Sequence, residues 1–314
     1  LASTGWAPGT NANAIGTQAS AATNANAMGS SASASGSASV AIGNQATSAG
    51  TSSVALGDGA KASVVNGVSI GSAAGAGSVG SGTFDRNGHI SIGANSGQNI
   101  SGNQSIAIGV GAGSNSTVNT GSSDYNIALG TEAGANLTGN QNISIGYGSN
   151  KTSTSAVQNS VAIGSATYTE SLGVSVGTRA SAAQGGVALG YDSNVTGTGG
   201  VALGKDALAG QNDVALGVGS VAEFNSLGNG YITNASAGVG GYNVVSVGNA
   251  NEKRRITNVA DGSEAQDAVT VNQIKALQND IIRVMGATDA NGDPATIKND
   301  GTLPLIQVNV KDQN

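Results

Sequence analysis

The chain contains no cysteine, so disulfide staples and thiolate metal sites are both excluded. Aromatic residues make up 3% and charged residues 10% of its 314 residues, whereas an ordinary soluble domain carries about 25% charged residues. No apolar run approaches the roughly 18 residues that span a bilayer. The opening LASTGWAPGT lacks the basic and apolar blocks of a secretory leader. If the protein is displayed on a membrane, its targeting and anchoring parts are expected outside this sequence. The net charge is −6, and no basic cluster occurs in the first 248 residues, so the Lys/Arg footprint that nucleic acid demands is missing.

What the chain has instead is 51 glycines among Ala, Ser, Asn and short aliphatics. One copy has little large apolar surface to offset the entropy of ordering its backbone. Such a chain is either a flexible linker or a periodic structure that shares its core with other copies. Position decides between them. An aliphatic, a small residue, an aliphatic and a glycine recur as VAIG at 40, VALG at 54, VSIG at 68, ISIG at 90, IAIG at 106, IALG at 127, ISIG at 143, VAIG at 161, VSVG at 174, VALG at 187, 201 and 214, and VSVG at 245. Weaker copies stand at 13, 26 and 225. The base period is 13 or 14 residues, with longer spacings in the middle. Disorder needs no such placement.

A second row follows each glycine by three and five residues, as in Ala19 and Ala21, Ala32 and Ala34, Ala60 and Ala62, Ala74 and Ala76, Ala133 and Ala135, Ala180 and Ala182, and Ala207 and Ala209. Residues two apart on an extended strand share a face. Each period therefore predicts two short strands joined at a glycine corner, stacked coil on coil at about 4.8 Å. If the aliphatics point into this roll, Ala188, Ala202 and Ala215 point outward in a flat row suited to packing against another copy.

The period stops at residue 249. NANEKRRITNVADG gathers charge, and SEAQDAVTVNQIKALQNDIIRVMG reads as a helix with Ser263 or Asp267 as its cap. Val271, Ile274, Gln278, Ile281 and Met285 form a short heptad seam, widened by Leu277 and Val284, and Gly286 ends it. Repeats of the S-V-A-I-G type followed by A-x-A, closing in VVSVGNANEKRRITNVADGSEAQDAVTVNQIKAL at 244–277, resemble the YadA-like head and neck of trimeric autotransporter adhesins. The resemblance implies an all-β fold: a left-handed parallel β-roll head, homotrimeric, followed by a neck and a short α-helical coiled coil. In the family a C-terminal β-barrel anchors the stalk in the bacterial outer membrane. On this reading residues 1–12 lead in, 13–248 form the head, 249–286 form the neck and the start of the coiled coil, and 287–314 begin a further stalk element.

The expected role is multivalent attachment of a bacterial surface to extracellular matrix, host cells, other bacteria or abiotic material. Loops that interrupt a solenoid are where binding residues concentrate, which makes Phe84, Arg86, His89, Tyr125, Tyr147, Tyr231 and Tyr242 candidate adhesive positions. Arg254, Arg255, Asp261, Asp267, Val271, Ile274 and Ile281 are candidate trimer contacts, the basic residues pairing with acidic residues of neighbouring chains. No cofactor, metal or catalytic residue is expected. GAGSVG at 75–80 has the form of a dinucleotide fingerprint but no helical period after it. DANGDPATIKND at 289–300 departs from a calcium loop at Pro294 and Asp300. The rival reading is a β-solenoid of another class, ice-binding or polysaccharide-active. The first needs a regular Thr-x-Thr row and the second a carboxylate cluster, and the sequence shows neither.

Overall fold

The computed structural model describes residue 6 and residues 9–78, 88–100, 104–115, 125–151, 156–223 and 243–284, the side chains of 282–284 excepted. The chain divides into two compact units, Leu1–Lys253 and Arg254–Asn314.

The first unit is a parallel β-solenoid. Fifteen three- and two-residue strands, from Asn13–Ile15 to Val245–Ser246, form one continuous sheet in which each predicted aliphatic triplet pairs in register with the next. Val187, Ala188 and Leu189, for instance, pair with Val201, Ala202 and Leu203. The ladder passes directly from Val214 to Val245, and the weak copy predicted at 225 lies outside the described residues. The small second row forms a separate sheet in two pieces, four strands from Ser20 to Ala62 and five from Tyr168 to Ala222. Trp6 extends its first piece by a bridge to Ser20.

Between those pieces the second strand is replaced by a tight turn. Ala74 and Ala133 are fully buried as expected, but the backbone around them closes in i to i+3 hydrogen bonds, Ala76 N–H to Ala73 O at 3.3 Å and Ala135 N–H to Glu132 O at 3.3 Å. These longer coils bury larger residues, Ile100, Leu137 and Val157. They also bury Asn126 and Asn142, which take the corner positions held by Ser39 and Ser53 in the shorter coils. Asn142 Nδ2 donates to Val157 O at 2.7 Å, and its Oδ1 accepts from Ser160 N–H at 3.1 Å and Ser160 Oγ at 2.8 Å. The carboxamide thus does for a wide corner what a hydroxyl does for a narrow one, where Ser53 Oγ donates to Gly50 O at 2.6 Å.

The predicted orientation of the main sheet is reversed. Ala188, Ala202 and Ala215 have no exposed surface, while the flanking Val and Ile or Leu are half-exposed or exposed, as in Val187–Leu189 and Val201–Leu203. The core is built mainly from small side chains: in the last coils Ala180, Ala182, Ala188, Val195, Ala202, Ala207, Ala209, Ala215 and Ala222 form one cluster, and Ala19 to Ala46 form another in the first coils. The reason is volume. The two strands of a coil are joined by corners of a few residues, and the second strand contributes mostly small side chains, Val195 being the exception in the cluster of the last coils. The sheets lie close enough that a methyl or a hydroxyl fills the space, and both large aliphatics have to leave it.

In the second unit one helix runs from Val271 to Val284. It starts later than the sequence suggests, and neither Ser263 nor Asp267 caps it. Thr270 does, in a capping box: Thr270 Oγ1 accepts from Gln273 N–H at 3.3 Å, and Gln273 Oε1 accepts from Thr270 N–H at 3.1 Å.

Candidate functional site

Three surfaces of the described residues carry chemistry. The largest is the outer face of the main sheet. Its first row is Val or Ile from Val40 to Val245, and its second row is Ile, Leu, Met or Val from Ile15 to Leu216. The pleat sends both rows outward because the alanine between them points in. Leu56, Ile108, Val176 and Leu189 are all more than a third exposed. A contiguous apolar stripe of this length is not left to water in a stable assembly.

The second surface is the glycine corner beside the Ile/Leu row. In successive coils Arg179, Tyr191 and Lys205 stack there, the guanidinium 4.7 Å and the ammonium 5.9 Å from the tyrosine ring centre. Arg179 Nε donates to Asp192 Oδ1 at 2.6 Å and Nη2 donates to Asp192 Oδ2. That hydrogen-bonded pair holds the Asp192 carboxyl below the usual carboxylate range and raises Arg179. One coil group earlier, Lys151 Nζ donates to Glu132 Oε2 at 2.7 Å, which raises the lysine. Tyr147 lies on the same corner and is 62% exposed. Sequence reasoning did not single out Arg179 and Tyr191. Their spacing of 12 residues is one coil less one position, legible only once corner positions are aligned.

The third surface is the neck. Arg254 and Arg255 are exposed. Lys253 Nζ donates to the carbonyls of Asn249 and Ala250, both at 2.9 Å. The acidic residues expected to reach neighbouring chains bond within their own chain: Asp261 Oδ1 accepts from Thr270 Oγ1 at 2.5 Å, and Asp267 Oδ2 accepts from Ser263 N–H at 2.9 Å and Glu264 N–H at 3.0 Å. Gln273 Nε2 also donates to Gly262 O at 2.8 Å, tying this loop to the helix start. Val271, Ile274, Leu277 and Ile281 are between 48% and 70% exposed on the helix. They lie along the predicted seam, exposed among the described residues.

Of the proposed adhesive residues, Phe84, Arg86, Tyr231 and Tyr242 lie outside the described residues. Tyr125 and Tyr147 are exposed. His89 is 5% exposed, directed into the roll at a corner, and presents no surface to a ligand. No group of three or more His, Cys, Asp or Glu side chains among the described residues is placed to hold a metal ion.

Comparison with protein families matches the YadA head domain repeat at residues 22–46, 48–74 and 181–207, and the coiled stalk of trimeric autotransporter adhesin at 255–297. The chain is a YadA-like trimeric autotransporter adhesin. The matched repeats of this YadA-like head fall on its two-strand coils and leave out the longer coils at 90–145, as expected where turns replace the second strand. The chain is also similar to the crystal structure of the collagen-binding domain of Yersinia adhesin YadA, at 25% identity and a TM-score of 0.38, over 60% of this chain and 82% of that one. Comparison with curated proteins gives no match. The YadA-like assignment makes the molecule a homotrimeric roll with a coiled stalk.

Proposed function

We propose that this chain is the attachment head of a bacterial surface adhesin, displayed beyond the outer membrane, which binds extracellular matrix protein through many weak contacts repeated in three copies. The observation that carries the reading is the division of one rod into unlike sides. The Val and Ile/Leu rows form a continuous aliphatic face, which we assign to burial between the three copies. The second sheet turns Ser20, Ser33, Thr47, Lys61, Ser181 and Asn194 outward, and the corners carry the asparagines, charges and tyrosines. Burial of the first side leaves the others, in triplicate and along the whole rod, to meet a ligand. Contacts that are weak singly sum to high avidity when geometry lets them engage together.

The exposed corner around Arg179, Tyr191 and Lys205, together with Tyr147, is the part of the described surface best suited to an extended protein partner, because aromatics and arginine dominate protein contacts. The test is a binding screen of the assembled protein over matrix proteins, host cells and bare plastic. The proposal expects saturable binding to at least one matrix protein, reduced about tenfold or more by the double change Tyr147→Ser with Tyr191→Ser. Binding to bare plastic alone, or matrix binding untouched by that change, overturns the assignment of this corner.

A further inference from the structure

The strands at 187, 201 and 214 are identical, Val-Ala-Leu in each. A face built from them presents nearly the same surface after sliding by one coil, about 4.8 Å. Uniform strands specify register weakly for the same reason, so the aliphatic rows alone leave the axial offset between neighbouring copies poorly determined. Some feature that does not repeat has to fix it.

The first row of the face breaks its pattern at one end only. From the third strand onward the row is Val or Ile throughout, but its first two positions are Asn13 and Asn26. Asn13 Nδ2 donates to Asn26 Oδ1 at 2.8 Å. That bond leaves the Asn13 carbonyl, one Asn13 N–H and both Asn26 side-chain N–H groups for other partners. Both residues are exposed, as are Ile15 at 54% and Met28 at 48% beside them. We infer that Asn13 and Asn26 of the three copies form a shared polar layer that sets the axial register at the N-terminal end of the head. This rests on the reading that the aliphatic face is buried between copies. In the aligned assembly carboxamides face carboxamides. After a one-coil slip Asn26 faces Val40, and a polar group buried without a partner costs more than a made hydrogen bond gains. A polar position in an otherwise apolar seam specifies register in coiled coils by the same asymmetry.

The experiment mixes unfolded wild-type chains with chains carrying Asn13→Val and Asn26→Val and a mass tag, refolds them together, and counts wild-type, variant and mixed trimers by native mass spectrometry. The inference expects mixed trimers about fivefold below their random share, because each mixed layer leaves a carboxamide unsatisfied. It also expects the pure variant to refold as a trimer. A random distribution overturns the inference. A second arm carries Leu189→Glu on the same face. If that change leaves the trimer intact, the burial of the face is itself wrong. If it dissociates the trimer while the mixing remains random, only the polar layer fails.

Discussion

Gly190 holds its φ at 141°, and a methyl placed on it would stand 2.5 Å from the carbonyl oxygen of Gly204 in the next coil. The same holds down the whole column, Gly43 against Gly57 and Gly177 against Gly190. The repeated glycine is required twice over, by its dihedral angle and by the close approach of successive coils. Gly190→Ala is expected to cost about 3 kcal/mol or more, read as a loss of thermal stability. Gly59, with φ of 63° and open space around it, should accept Asn within about 0.5 kcal/mol. Each coil also turns through left-handed corners, at Asn24, Gln45, Asn66, Asn159, Asp192 and Asn212 among others, which explains a chain so rich in asparagine. Leu172 is the misfit: it sits at φ 63° and is 60% exposed. Leu172→Gly is expected to raise stability by about 1 kcal/mol, since it relieves a left-handed leucine without losing a buried contact. A lower melting temperature for that variant would contradict the strain argument.

At the scale of the element, the neck loop and its helix stand or fall together. Gln273 closes the capping box with Thr270 and bonds both the N–H and the carbonyl of Gly262. Gln273→Ala should therefore cost about 1 kcal/mol at the helix start, seen as faster hydrogen exchange at Gln273 and Ile274. Asp267 adds a pH dependence. The N–H groups of Glu264 and then Ser263 hold its carboxyl below the usual carboxylate value. A carboxyl depressed in the folded state stabilises above the unfolded pKa of about 3.9, and that contribution is lost as pH falls through the lower folded value. Exchange at Ser263 and Glu264 should accelerate between about pH 4 and pH 2 in the native chain, and Asp267→Asn should remove most of that pH dependence. The capping box was readable in the sequence as Thr270 followed three residues later by Gln273. Asp267, upstream, caps a turn of its own and not the helix.

On the scale of the whole molecule, inside and outside are separable by mutation. Ala202→Asp places a carboxylate within the alanine column and is expected to cost about 3 kcal/mol or more of roll stability. Val187→Lys lies on the outer row; it should leave the β-sheet circular dichroism intact while weakening assembly by roughly 1–3 kcal/mol per chain, measured by sedimentation. Loss of the fold with Val187→Lys and tolerance of Ala202→Asp would reverse the assignment again. The period, the glycine corners, the neck block and the two strands of the shorter coils were determined by the sequence, because each depends on spacing or on a local dihedral requirement that the residues state directly; in the longer coils a turn replaces the second strand. Which face of the main strand turns inward was decided only in the tertiary structure. Alternation with period two is the same pattern from either side of a sheet, and the choice between sides depends on the gap to the opposite strand. In this protein that gap is filled by Ala180, Ala182, Ala207 and Ala209. It takes a single valine, Val195, among those alanines but not a second row of large aliphatics, and so the Val and Ile/Leu rows lie on the outer face.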